Sequence, residues 1–236
     1  MAVMRLDKLI SNAGLATRSQ CKRAVREGRV TVNGRAADDA AQHCDTSDDI
    51  RLDGVRAVWQ EYCYLMMNKP KGYLSVTEDE KRETVLDLLA PEYKRLMLFP
   101  AGRLDMNSEG LLLLTNDGEF CHKVISPKSN IVKEYWIQVA RPFPPGAEAL
   151  FEQGITLDDG SVCKPARLLP SEDRMSAIVR ISEGKYHQVK RMALAAGTRV
   201  HALKRLRIGG LRLDETLAPG EYRELSKSEI NVILPK

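Results

Sequence analysis

The sequence predicts an α+β chain of two domains, a small one over residues 1–58 and a larger one over residues 59–236. Three observations predict it. A length of 236 residues fits one or two domains. Helical and extended patterns alternate without a regular βαβ repeat, which favours a mixed α+β domain over a doubly wound parallel sheet. The composition also shifts near Val55–Glu61, where a basic and then acidic stretch gives way to the buried-strand pattern Tyr62–Asn68. No Pro- or Ser-rich tether separates them, so the linker is short.

The elements follow in chain order. Leu6, Leu9 and Ile10 recur at helical spacing, and Asn12-Ala13-Gly14 ends that helix because Gly14 can take the left-handed cap conformation. Thr17 or Ser19 can cap a second helix. In it Cys21, Ala24 and Val25 form an apolar face, while Arg18, Lys22 and Arg26 line another at i, i+4 and i+8. Gly28 stops this helix, Arg29–Val32 alternates as a strand, and Asn33-Gly34 signals a tight turn. Ile50 and Leu52 mark a last small strand closed by Asp53-Gly54. In the larger domain Tyr62–Asn68 reads as a buried strand turned by Lys69-Pro70-Lys71-Gly72, and Thr84–Leu89 as a short helix with Thr84 near its N-cap. Leu111–Thr115 is a buried strand ended by Asn116-Asp117-Gly118. Tyr135–Val139 and Ser176–Ile181 read as strands, Ala147–Gln153 as a helix, and Gln188–Ala196 as a basic helix stopped by Gly197.

Charge points to a polyanion. The chain carries 36 Lys and Arg against 32 Asp and Glu, a net charge of only +4. Arg5–Arg35 holds eight basic residues and two acids (+6), and Lys185–Arg212 holds eight and none (+8), so the remainder carries −10. Two concentrated basic zones on an acidic body suit a nucleic acid held at two places. Other classes drop out. No apolar run approaches the ~20 residues of a membrane helix, and the N-terminus lacks a signal-peptide core. Cys21, Cys44, Cys63, Cys121 and Cys163 are dispersed with no C-x₂-C pair, which reads as reduced thiols in a cytoplasmic protein. No Walker, dinucleotide, G-x-S-x-G or H-E-x-x-H motif is present, and His43, His122, His187 and His201 are too scattered for a metal triad.

What remains is Ala101–Gly118. Arg103-Leu104-Asp105 sits in a loop between Gly102 and Gly110, just before the most apolar strand. A carboxylate pinned there is well placed for chemistry; the alternative is a loop aspartate that caps backbone N–H groups.

Two resemblances complete the reading. Arg5-Leu6-Asp7-Lys8, Ser19 through Arg26, and Gly28-Arg29-Val30-Thr31-Val32-Asn33-Gly34 resemble the S4 RNA-binding domain over about the first 55 residues. This implies recognition of structured RNA by charge and shape, with Arg5, Arg18, Ser19, Lys22, Arg23, Arg26, Arg29 and Asn33 as candidate contacts. The stretch from Gly102-Arg103-Leu104-Asp105 to Gly110-Leu111-Leu112-Leu113-Leu114-Thr115-Asn116-Asp117-Gly118 resembles the catalytic motif of the S4-containing pseudouridine synthases. Lys133-Glu134-Tyr135 and Ser182 through Met192 agree with it. The end, Arg207-Ile208-Gly209-Gly210 with Leu217 through Arg223, is similar to the branch that modifies 16S rRNA.

The resemblance implies a mixed, mainly antiparallel sheet with flanking helices, and isomerisation of a uridine in 16S rRNA, at U516, without cofactor or metal. Bare 16S rRNA or a partly assembled small ribosomal subunit would be the partner, and the enzyme a cytoplasmic monomer. Asp105 matches the catalytic aspartate, as nucleophile at C1′ or C6 or as the base that yields a glycal. In every route it must be ionised, and Lys190 is the candidate cation that holds it so. Many relatives carry arginine there, so lysine supplies a point charge in place of a bidentate clamp. Tyr135 matches the active-site tyrosine. Arg103, Tyr186, His187, Arg191, Lys204 and Arg205 are candidate RNA contacts, with Tyr186 and His187 alternatively supporting the Lys190 loop. The competing expectations are a 23S rRNA synthase and a non-catalytic S4-type assembly factor.

Overall fold

In the computed structural model, which describes residues 3–57 and 62–234, the backbone divides into two units. One runs to Cys63 and includes Ala90–Met97; the other comprises Tyr64–Leu89 and the chain from Leu98 onward.

The first unit contains β1 (Val3–Arg5), α1 (Leu6–Asn12), α2 (Arg18–Arg26), β2 (Val30–Val32), β3 (Arg35–Ala36), β4 (His43–Asp45), β5 (Ile50–Leu52), β6 (Val55–Arg56) and the single-turn α3 (Pro91–Lys94). Leu6, Leu9 and Ile10 of α1 and Cys21, Ala24 and Val25 of α2 share one buried cluster with Val30, Ile50 and Leu52. Thr17 is the cap of α2: it accepts from the Gln20 N–H, and Gln20 reaches back to the Thr17 N–H. Strands run β3-β2-β5-β6, and β1 pairs with β4. The segment read as linker therefore begins as strand β6, and its residues 58–61 lie outside the described residues.

The second unit is built on β7 (Tyr64–Lys69), β8 (Phe99–Pro100), β9 (Glu109–Thr115), α4 (Gly118–Ile125), β10 (Lys133–Val139), α5 (Ala147–Gln153), β11 (Arg167–Pro170), β12 (Ser176–Ile181), α6 (Gln188–Ala195), β13 (Val200–Ile208), β14 (Leu211–Arg212), β15 (Tyr222–Glu224) and α7 (Lys227–Ile233). Its sheet runs β11-β12-β10-β13-β9-β7-β15, with β14 on β13 and β8 on β9. Every pairing is antiparallel except β13 with β9. The run Leu111–Leu114 is continuous because β9 lies inside the sheet and is covered on both faces. Alternation along β9 and β13 separates two cores. One face carries Leu203, Tyr135, Ile137 and Val179 under α5 and α6. The other carries Met66, Leu111 and Leu113 under α4 and α7.

Gly110 makes the parallel join possible. A Cβ there would sit 2.3 Å from the Arg205 carbonyl oxygen and 2.7 Å from its nitrogen, and the backbone φ is +105°. Thr84–Leu89 departs from the helical expectation. It is a turn: Asp87 takes the Thr84 N–H (2.7 Å) and hydroxyl (3.0 Å) as at a helix start, but the backbone bonds that follow are i to i+3, Asp87 N–H to the Thr84 carbonyl (3.1 Å) and Leu89 N–H to the Leu86 carbonyl (3.2 Å). Asn116-Asp117-Gly118 also does more than end a strand, since Asp117 caps α4 through the Phe120 N–H at 3.0 Å.

Candidate active site

The loop from Ala101 to Ser108 joins β8 to β9 on the sheet face that also carries Arg205 and Tyr135. Its backbone is held from beneath. Lys69, the last residue of β7, is fully buried. Its Nζ donates to the carbonyls of Pro70 (2.8 Å), Ser108 (3.0 Å) and Asp105 (3.2 Å). Burial pushes this ammonium down to about 8, against the opposing pull of the Asp105 and Glu109 charges. Ser75 fixes Leu104 from both sides, its hydroxyl donating to the carbonyl at 2.9 Å and accepting from the N–H at 3.2 Å. The Gly72 N–H donates to the Met106 carbonyl at 2.8 Å. In the sequence Lys69 reads as a turn residue, and nothing local marks its amine as the loop's anchor.

This scaffold aims the Asp105 side chain at the first turn of α6. Lys190 Nζ donates to Asp105 Oδ2 at 2.5 Å and to Asn107 Oδ1 at 2.6 Å. His187 Nε2 lies 3.2 Å from Asp105 Oδ1. Each carboxylate oxygen thus faces a different residue, at the positive end of a helix. The α6 entry is fixed by its own polar lock: Gln188, buried, accepts from the Lys185 N–H (2.9 Å) and donates to the buried Glu183 (2.7 Å). His187 takes a left-handed backbone, φ 49°. Its ring stacks on Tyr186, with centroids 3.8 Å apart and planes at 18°. Tyr186 itself is 72 % exposed.

Tyr135 is buried and pairs in register with Arg205 across β10 and β13. Arg205, expected at an RNA-facing surface, is instead buried. It is 2 % exposed, and its guanidinium donates to the Leu111 carbonyl at 2.7 Å and the Arg103 carbonyl at 3.4 Å, bracing the Asp105 loop. Arg191 is engaged too, with Nε 2.7 Å from Asp158 and NH2 2.8 Å from Asp159. Arg103 is exposed and Lys204 half-buried.

The first unit carries the other candidates. Arg18, Lys22 and Arg26 are exposed on α2 and make no ion pair among the described residues, and exposed Ser19 shares a 3.1 Å hydrogen bond with the Thr17 hydroxyl. Arg5, by contrast, clamps Asp7 with two bonds of 3.1 and 2.7 Å, and this holds the Asp7 carboxyl below its usual range despite burial. Arg23 pairs with Glu27, and Arg29 with Asp53 and Glu27. Asn33 is used within the fold, donating to Asp48 and accepting from the Asp49 N–H. Of the eight candidates in this unit, the α2 stripe is the part left to meet a partner.

Comparison with known proteins decides the family. Residues 63–195 match the family described as RNA pseudouridylate synthase, and residues 4–50 match the S4 domain. The chain belongs to the RNA pseudouridylate synthase family. It is 43 % identical over 234 residues to an uncharacterized RNA pseudouridine synthase, YtzG, of Bacillus subtilis, covering 98 % of both chains. It is 40 % identical to ribosomal small subunit pseudouridine synthase A of Escherichia coli, covering 96 % of this chain and 98 % of that one. A crystal structure of a pseudouridylate synthase superposes with a TM-score of 0.70 at 38 % identity, covering 98 % of this chain and all of the other. The chain is therefore a pseudouridine synthase with an S4 RNA-binding domain, and the Asp105 loop falls within the matched residues 63–195. Among the described residues no helix is long and apolar enough to cross a membrane.

Proposed function

We propose that this synthase isomerises one uridine of 16S rRNA, U516, to pseudouridine, in bare RNA or a partly assembled small subunit in the cytoplasm, with Asp105 as the catalytic carboxylate. The observation that carries the reading is the Asp105 carboxylate held between Lys190 Nζ at 2.5 Å and His187 Nε2 at 3.2 Å. Partners on both oxygens fix the carboxylate in position, as either a nucleophile or a base requires. The relatives named for the ribosomal small subunit support the choice of RNA.

In the reaction the N1–C1′ bond breaks, the uracil turns, and C5 bonds to C1′. N1 gains a proton and C5 loses one. The uridine must first leave its stack, at a cost of a few kcal/mol. Contacts from the α2 stripe of Arg18, Lys22 and Arg26, and from Arg103 and the Tyr186–His187 stack, offset that cost. Tyr135, on the same sheet face, supplies an aromatic surface for the base, and Lys190 holds the Asp105 side chain in place while the base turns.

Because C5 loses its hydrogen, 16S rRNA carrying [5-³H]uridine reports turnover as tritium released to water. The reading expects release from 16S and not from 23S transcripts, and none with Asp105→Asn. Release from 23S RNA alone would overturn the substrate, and release by Asp105→Asn would overturn the catalytic role.

A further inference from the structure

The sheet of the second unit has a face that the catalytic loop does not use. Lys69, Arg205 and Tyr135 point to the face that carries Asp105. The residues between them point to the other. Across that other face the registers place five residues in one line over five strands. Arg167 of β11 is opposite Arg180 of β12. Arg180 is opposite Glu134 of β10, Glu134 is opposite Arg207 of β13, and Arg207 is opposite Arg212 of β14. Directly opposed residues share a face, and the side chains agree. The buried Glu134 carboxylate receives Arg180 at 2.6 Å, Arg207 at 3.3 Å and Arg212 at 3.6 Å.

Four guanidinium groups therefore share a line with one carboxylate, and three of them contact it. Like charges directly opposite each other destabilise a sheet, and a single buried glutamate needs no more than one bidentate partner. The surplus asks for an external anion. The outer members are the ones free to meet it. Arg212 is 69 % exposed, and Arg167 is exposed and makes no ion pair among the described residues. Four strand intervals of about 4.8 Å make the row roughly 19 Å long. Half-buried Lys204 lies one row further along the same face, opposite Trp136. The other acids at the Arg212 end are Asp214, which Arg223 pairs at 2.6 Å, and exposed Glu215.

We propose that this arginine row is a second RNA surface, which grips the phosphate backbone of the substrate RNA on the side of the sheet away from Asp105. A long folded RNA reaches both faces by passing the sheet edge, whereas a short stem-loop that fills the catalytic side does not. The proposal rests on RNA being the substrate, but on no particular uridine.

The test compares wild type with the double variants Arg167→Gln/Arg212→Gln and Arg167→Lys/Arg212→Lys. Binding is followed by fluorescence anisotropy across a salt series, on a long 16S fragment and on a short stem-loop carrying the target uridine. Thermal melting confirms that both variants fold. On the long fragment the glutamine pair is expected to bind roughly tenfold more weakly, with the log–log salt slope reduced by about 1.5 to 2. The lysine pair should recover most of both, and turnover on the stem-loop should not change. Unchanged affinity and slope for the glutamine pair would overturn the proposal. So would equal losses for lysine and glutamine, or equal losses on the two RNAs. Salt-dependent binding of the long RNA with no pseudouridine formed by wild type would defeat the functional reading and leave the surface standing.

Discussion

Replacing Lys69 with methionine sets two effects against each other, and their magnitudes decide the outcome. The methionine keeps the apolar stem and removes the ammonium. Lys69 is 0 % exposed, and its ammonium is pushed from 10.5 down to about 8 by burial. A fall of that size corresponds to roughly 3 kcal/mol of cost at neutral pH, which the variant escapes. Against this, the carbonyls of Pro70 and Ser108 lose their donor, while the Asp105 carbonyl keeps the Ser108 N–H at 3.0 Å. An unsatisfied acceptor costs about 1–3 kcal/mol, so two of them narrowly outweigh the relief, and the variant should be less stable by about 1 kcal/mol near pH 7. The pH dependence carries the sharper test. Below 8 the lysine is charged in both states. Between 8 and 10.5 the unfolded chain binds more protons than the folded one, so wild-type stability rises with pH. The methionine variant lacks this term. Lys133, also pushed down to about 8 by burial, is common to both proteins and cancels. Urea unfolding at about pH 7 and pH 10 should therefore show the gap between the two widening by about 2–3 kcal/mol. A gap that stayed constant or narrowed would refute the buried charge, and a variant more stable than wild type at pH 7 would refute the role of the carbonyls.

Other perturbations give simpler outcomes. Lys190→Met should lower kcat by about 10²–10³-fold, and Lys190→Arg should restore part of it, in single-turnover tritium release; equal activity of wild type and Lys190→Met would remove Lys190 from the chemistry. Gly110→Ala places a Cβ 2.3 Å from the Arg205 carbonyl oxygen at a φ of +105°. It should destabilise the protein by about 3 kcal/mol or more in urea unfolding, from strain and overpacking together. Changing Arg18, Lys22 and Arg26 together to Gln should reduce the salt slope of RNA binding by about 2 to 3, with no loss of melting temperature, because none of the three makes an ion pair among the described residues.

These outcomes depend on features of unequal visibility in the sequence. Leu111–Leu114 announces an interior strand because four consecutive apolar residues can be buried only on two faces. The helical spacing of Leu6, Leu9 and Ile10, and the stripe of Arg18, Lys22 and Arg26, are likewise periodic and local. Asp105 stood out through its loop and through resemblance, as did Lys190, its partner in a distant segment. Partnerships with no local signature were not legible. Lys69 reads as part of a Lys-Pro-Lys-Gly turn because the carbonyls it holds come from another loop. Counting positive charge also overstates what is free: Arg5, Arg29, Arg191 and Arg205 are each engaged inside the protein. The arginine row is hidden for the same reason, since only the strand registers bring Arg167, Arg180, Arg207 and Arg212 into line. Thr84–Leu89 shows the converse, a helix-start signal at Thr84 and Asp87 that leads only into turns closed by i to i+3 bonds.

The central claim is that this enzyme makes a pseudouridine in 16S rRNA through Asp105. It is tested most directly by carbodiimide-based mapping of pseudouridine in 16S and 23S rRNA. The comparison is between a strain lacking the protein and the same strain carrying either wild type or Asp105→Asn. The account predicts loss of one 16S position, U516, returned by wild type and not by Asp105→Asn. A lost position in 23S rRNA, or full return by Asp105→Asn without deamidation of the asparagine, would contradict it.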